Sequence, residues 1–135
     1  MITNLMYYMF DKLEELLKEY RWTTCSFGGS SKTPNWRRKK YSLNVGMTRH
    51  IFVKGRPLAP SRFMKKDRRI YDECKRLFFD FDFDGVQINR NVLCPPHKDT
   101  KNIGDSLLIG FGEYEGGETL IEGVKHDIYH TPVIF

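Results

Sequence analysis

A histidine and an aspartate stand one residue apart in His97-Lys98-Asp99. In an extended segment, residues i and i+2 point to the same side about 6.5 Å apart along the backbone, so an imidazole and a carboxylate can converge on one ion. The pair fits two corners of the facial arrangement of two histidines and one carboxylate that leaves three positions open on ferrous iron. Spacing alone is cheap, because four histidines and nine aspartates in 135 residues produce His-x-Asp by accident often enough. Context adds to it: Pro95-Pro96 stiffens the approach to His97, and strand-like residues follow directly.

Two other groups of residues compete for a metal. Asp80, Asp82, Asp84 and Gly85 reproduce the opening of a calcium loop, but the twelfth position, which should be a bidentate Glu, is Asn91. Phe79, Phe81 and Phe83 alternate with these aspartates, so a two-faced extended segment explains the same residues without metal. The same alternation argues against a metal-dependent nuclease built on the three carboxylates. Cys94, three residues before His97, invites zinc, yet no second pair stands at zinc-finger spacing. Cys25, Cys74 and Cys94 are odd in number and lack a Cys-x-x-Cys, so reduced thiols are expected in place of a disulfide framework.

The elements that must position these groups divide into helices followed by strands. Leu5, Met6, Met9, Leu13, Leu16, Leu17 and Tyr20 recur at helical spacing, with Thr3 or Asn4 available as a cap. Residues 26–40 are rich in breakers and polar groups and read as a loop. Tyr41, Leu43 and Val45 alternate as a strand, residues 55–60 break the pattern, and a second helix is expected over Ser61–Phe78. The charges Lys65, Lys66, Arg68 and Arg69 would wrap around that helix. Strands are then expected at Val86–Asn91, Ser106–Phe111, Glu118–Glu122, Asp127–Tyr129 and Val133–Phe135, with Gly112–Gly117 as a hairpin loop. The pattern predicts an α+β fold with helices packed on one face of a mainly antiparallel sheet. The run Pro132–Phe135 stops mid-pattern, and five strands leave an open apolar edge, so a C-terminally truncated domain is expected.

The stretch 86–123, VQINRNVLCPPHKDTKNIGDSLLIGFGEYEGGETLIEG, closely resembles iron(II)/2-oxoglutarate dioxygenases of large DNA viruses, algae and mobile elements. These are similar to the TET and base-J-binding nucleic-acid oxygenases. The matching features are an Asn-rich strand, Pro-Pro-His-x-Asp, an Asn five residues after the His, a Gly-x-Ser strand start, and a Gly-Gly hairpin before Glu-x-Leu. The resemblance covers about a third of the chain. It implies N-terminal helices packed on an incomplete double-stranded β-helix, or jelly-roll, within a single partial domain over 1–135. Residues 1–80 would form a helical, basic support and residues 81–135 the strands that carry the motif.

The resemblance further implies Fe(II) as metal, with His97 and Asp99 as ligands, and 2-oxoglutarate and O2 as cosubstrates. Asn102 would contact a flipped target base; read from the residues alone, it is first a turn former between strands. Asn89 and Asn91 would hold the iron-site loop. The family needs a second His and, beyond it, a basic residue for the distal carboxylate of 2-oxoglutarate. The only later histidines are His126 and His130, ahead of where the family places that ligand, and no basic residue follows Lys125. The chain on its own is therefore expected to hold iron weakly or not at all, and to be inactive by itself.

Charge bears on the substrate. The chain carries +5 overall, but residues 1–80 hold 18 Lys/Arg against 8 Asp/Glu and residues 81–135 hold 4 against 9. The basic half, including Arg37-Arg38-Lys39-Lys40, suits nucleic acid, or is simply an uneven solvated surface. Three functions stay open: oxidation of a C–H bond, on a nucleic-acid base in one version; hydroxylation of a protein side chain; and a non-catalytic module binding nucleic acid or protein. The longest apolar stretch is too short to cross a bilayer, and the first ten residues lack the marks of a signal peptide, so an intracellular protein is expected.

Overall fold

Leucines spaced three apart build the first helix, α1 (Asp11–Glu19), whose Leu13 and Leu16 are buried. Asp11 and Glu14 in its first turn and Lys18 in its last complement the helix dipole. The computed structural model describes residues 8–20, 41–48, 55, 57–91, 96–98 and 103–135. The expected caps Thr3 and Asn4 lie outside them, as do Leu5 and Met6, and Phe10 precedes α1 without a side-chain cap.

Strand β1 (Tyr41–Thr48) is followed by the two-residue β2 (Ala59–Pro60) and by two helices, α2 (Arg62–Lys66) and α3 (Arg69–Leu77), then by β3 (Gly85–Arg90). The single helix expected over Ser61–Phe78 is thus broken. Asp67 is extended at φ −156°, ψ 112°, and its carboxylate accepts the Arg69 N–H at 3.0 Å and the Arg69 guanidinium. Asp competes with the helix for its own backbone donors in this way, which ends one helix and starts the next. Ser61 supplies the start of α2: its Oγ accepts the Met64 N–H at 3.2 Å.

The sheet order is β2-β1-β3, all antiparallel, with Tyr41 opposite Arg90, Gly46 opposite Gly85 and Met47 opposite Pro60. On β3 only Val86 and Ile88 are half-buried, so one face is covered. Fully buried Val45 meets Met64 and Tyr71 there, with Met47, Phe63, Phe83, Val86 and Ile88 packed around them. Helix α1 lies on α3, burying Phe10, Leu13, Leu16, Ile70 and Cys74.

These elements belong to a first compact unit, Met1–Pro95; Pro96–Phe135 forms a second. Strand β3, grouped by sequence with the later strands, completes the first unit's sheet by pairing with β1. In the second unit, β4 (Leu107–Leu108), β5 (Thr119–Ile121), β6 (Val124–His126) and β7 (Val133–Ile134) form two nested antiparallel pairs. The outer pair is β4 with β7, prolonged by reciprocal backbone bonds between Ser106 and Phe135; the inner is β5 with β6. The turn of the inner hairpin is Glu122-Gly123, at φ 50° and 80°, and positive φ at both central residues is the type I′ signature. Gly112–Gly117, read from sequence as a hairpin loop, closes no adjacent strand pair; β4 goes to β7 instead. The segment expected as a strand at 127–129 contributes an isolated parallel bridge, Tyr129 to Gly110.

The α+β expectation holds as a mixture of helices and small antiparallel sheets. The described strands form sheets of three, two and two, and a closed double-stranded β-helix is not among them. No helix among the described residues is long and apolar enough to cross a membrane.

Candidate functional site

His97 lies at the start of the second unit with its side chain exposed. Asp99 and Asn102, the companion ligand and substrate contact implied by the resemblance, lie outside the described residues, as do Cys25 and Cys94. Asn89 is exposed on β3, where its Oδ1 accepts from the Gln87 amide at 3.4 Å, and Asn91 follows the strand at φ 53°. The two later histidines sit in strand-related positions. His126 is half-buried on β6 opposite Thr119. His130, at φ 49°, stacks on Tyr129 at a ring separation of 4.2 Å and tilts against Phe111 at 5.5 Å.

Among the described residues, no three His, Cys, Asp or Glu side chains gather to hold a metal. Asp80, Asp82 and Asp84 are exposed in the turn after α3. Phe81 and Phe83 turn inward together, 6.1 Å apart, while Phe79 is 84% exposed because it sits in the turn that ends α3. The two-faced reading of this segment therefore holds for two of its three phenylalanines. Phe83 also meets Tyr71 edge-on, and the Lys75 ammonium lies 3.9 Å from its ring centre, a cation–π contact that closes the turn onto the helix.

Among the described residues of the first unit, several arginines are matched by carboxylates. Arg68 pairs with Asp72 at 3.2 Å, Arg69 with Asp67 at 2.8 Å and more loosely with Glu19, and Arg76 with Glu73. The Arg69 hydrogen bonds hold the Asp67 carboxyl below its ordinary range. Because the helix breaks at Asp67, the four cations 65, 66, 68 and 69 do not wrap one helix. Arg62, Lys65 and Lys66 on α2 instead share one face at spacing i, i+3, i+4, exposed and with no ion pair to a carboxylate among the described residues. Arg37–Lys40 lie outside the described residues.

One constellation escaped sequence reasoning. Tyr114 and Tyr129 meet at 5.6 Å and 79°, nearly perpendicular and both close to half exposed. Partial burial, and after it the Asp127 carboxylate, raise the Tyr114 hydroxyl above its ordinary range. The signal was available: Tyr114 is flanked by Glu113 and Glu115 inside the glycine-rich loop. Comparison with protein-family models, with curated proteins and with solved structures finds no match to this chain.

Proposed function

We propose that the chain carries the metal-side strands of an iron(II)/2-oxoglutarate dioxygenase domain, with His97 and Asp99 as two protein ligands and Asn102 toward the substrate. The composite motif in residues 86–123 carries the reading. The nested pairing of β4 with β7 around the β5–β6 hairpin supports it, being the return arrangement from which Greek-key jelly-rolls are assembled. The donors are chemically suited to ferrous iron, and no group of three such side chains gathers among the described residues. When bound, iron with 2-oxoglutarate and O2 supplies the oxidising equivalents for a C–H bond. An intracellular setting belongs to the same reading. Anaerobic titration with ferrous iron tests the metal pair: weak binding is expected, lost in His97→Ala and in Asp99→Ala, and with no basic residue after Lys125 no charge-transfer band with 2-oxoglutarate is expected of this chain. Iron binding that is indifferent to both substitutions overturns the reading.

A second reading rests on the α2 stripe. Arg62, Lys65 and Lys66 present three exposed positive charges on one face of α2, none in an ion pair among the described residues, which fits a nucleic-acid-binding module and equally a base-oxidising enzyme. Three phosphate contacts give log K against log salt a slope of about −2 to −3. Binding indifferent to salt points away from nucleic acid and toward a protein side chain as substrate.

A further inference from the structure

The second unit is acidic, with three lysines against seven Asp/Glu over residues 96–135, a net charge of −4. Within it the loop after β4 folds back so that Tyr114 is held from two sides. A Cβ on Gly110 would stand 2.5 Å from the Tyr114 hydroxyl, and one on Gly117 would stand 3.1 Å from its ring. A side chain at Gly110 would displace the hydroxyl, and one at Gly117 would crowd the ring. The fold thus fixes Tyr114 tightly on its inner side yet leaves it 42% exposed. Tyr129 stands against it at 79° and is 47% exposed, with one side of its ring stacked on His130. The Asp127 carboxylate, close enough to act on Tyr114, also accepts the Tyr129 N–H at 3.0 Å and so sets that ring's base. Glu113 and Glu115 are exposed on either side of Tyr114.

Two nearly perpendicular tyrosine rings with a carboxylate beside them form a corner whose electron-rich surfaces and charge both favour a cation. The rings are positioned in advance, so little ordering cost falls on binding. Lys125 is the one basic residue over 103–135, so the segment that carries the corner has little positive charge of its own. We propose that the corner formed by Tyr114, Tyr129 and Asp127 docks a lysine or arginine side chain of a basic peptide segment from another protein. This site is separate in its residues from the His97–Asp99 motif and stands or falls without it.

The test is titration of the intact chain with a fluorescent peptide bearing one central lysine in a basic context, read by anisotropy, beside versions with arginine or norleucine at that position. Lysine and arginine peptides are expected to bind about three- to thirtyfold more tightly than norleucine, the range a cation–π contact supplies. Asp127→Asn keeps an oxygen for the Tyr129 N–H while removing the charge, so it separates recognition from folding; it is expected to weaken binding and flatten its salt dependence. Tyr129→Phe should bind nearly as wild type and Tyr129→Leu should not, with circular dichroism of each variant confirming the fold. Equal affinity for norleucine, or no change in Asp127→Asn, overturns the proposal. So does a self-associated chain that Asp127→Asn dissociates while no peptide binds, or a Tyr129→Leu defect confined to nucleic acid. Because the readout needs neither iron nor 2-oxoglutarate, its failure is distinct from failure of the dioxygenase reading.

Discussion

The Lys12 ammonium on α1 stands 3.6 Å from the carboxylate of Glu73 on α3, an acid only 3% exposed. Arg76 closes on the other oxygen, donating through Nε at 3.0 Å and through Nη2. The Arg76 hydrogen bond, and after it the charges of Arg76 and Lys12, hold the Glu73 carboxyl below its ordinary range against the opposing effect of burial. A carboxyl depressed in the folded state adds stability above its unfolded pKa, near 4.3. That stability is lost as pH falls through the lower folded value, so urea midpoints should drop as the pH is taken from about 5 downward. The substitutions are asymmetric. Both cations are largely exposed, so Glu73→Gln returns them to water and should cost about 1 kcal/mol. Arg76→Met strands a buried carboxylate on Lys12 alone and should cost about 2–3 kcal/mol. Equal costs would show that Glu73 is better hydrated than its burial indicates.

Ser61 joins the sheet to the helices through both functions of one hydroxyl. Its Oγ donates to the Asn44 carbonyl at 2.9 Å and accepts the Met64 N–H at 3.2 Å, while its own N–H bonds the Gly46 carbonyl. Ser61→Ala removes the cap of a five-residue helix and leaves a carbonyl without its donor, so it should lower stability by about 1–2 kcal/mol. Ser61→Thr should recover most of the loss, and chemical denaturation of the three proteins checks both.

The sequence patterns located elements better than partners. Alternation at Val86 and Ile88 marked β3, and the short apolar runs at 107–108 and 133–134 marked β4 and β7. A period of two is the same whichever strand lies alongside, so neither the pairing of β3 with β1 nor that of β4 with β7 was readable. The glycine-rich loop drew attention as a hairpin, whereas the tight turn was Glu122-Gly123, whose first residue is not among the usual type I′ choices. The helix break at Asp67 was legible in principle as an Asp before a fresh apolar repeat, and was hidden by the continuous helical spacing on either side. Of the candidate metal pair, the described residues hold His97 but not Asp99, so the site remains a reading of sequence spacing and resemblance. Of the tyrosine corner only the Glu-Tyr-Glu loop was visible in the sequence; its meeting with Tyr129 is made by a loop folding back, which no local period encodes.

Cys74 is buried in the α1–α3 seam, and that burial, with the Glu73 charge adding to it, pushes its thiol up to about 12. At pH 8 the thiolate fraction is then about one in 10⁴, far too little for alkylation. Iodoacetamide should leave the Cys74 peptide unmodified in native protein and modify it fully in urea, as read by mass spectrometry. The raised value also sets a direction with pH. The native state favours the neutral thiol, so this contribution is complete below the ordinary value of 9 and disappears as pH rises toward 12.

Glu122 occupies a left-handed position at φ 50°, beside Gly123 at φ 80°, in the turn joining β5 to β6. A β-turn of this type favours Asn at its first central residue, because a short amide side chain tolerates left-handed backbone better than a glutamate. Glu122 is exposed, so exchange disturbs no packing. Glu122→Asn should therefore stabilise the hairpin by about 0.5–1 kcal/mol, slowing amide exchange at Ile121 and Val124 more than in the three-stranded sheet of the first unit. Glu122→Val, with a branched side chain forced to positive φ, should act in the opposite sense. If both substitutions leave those amides unchanged, the two-residue turn does not set the register of this hairpin.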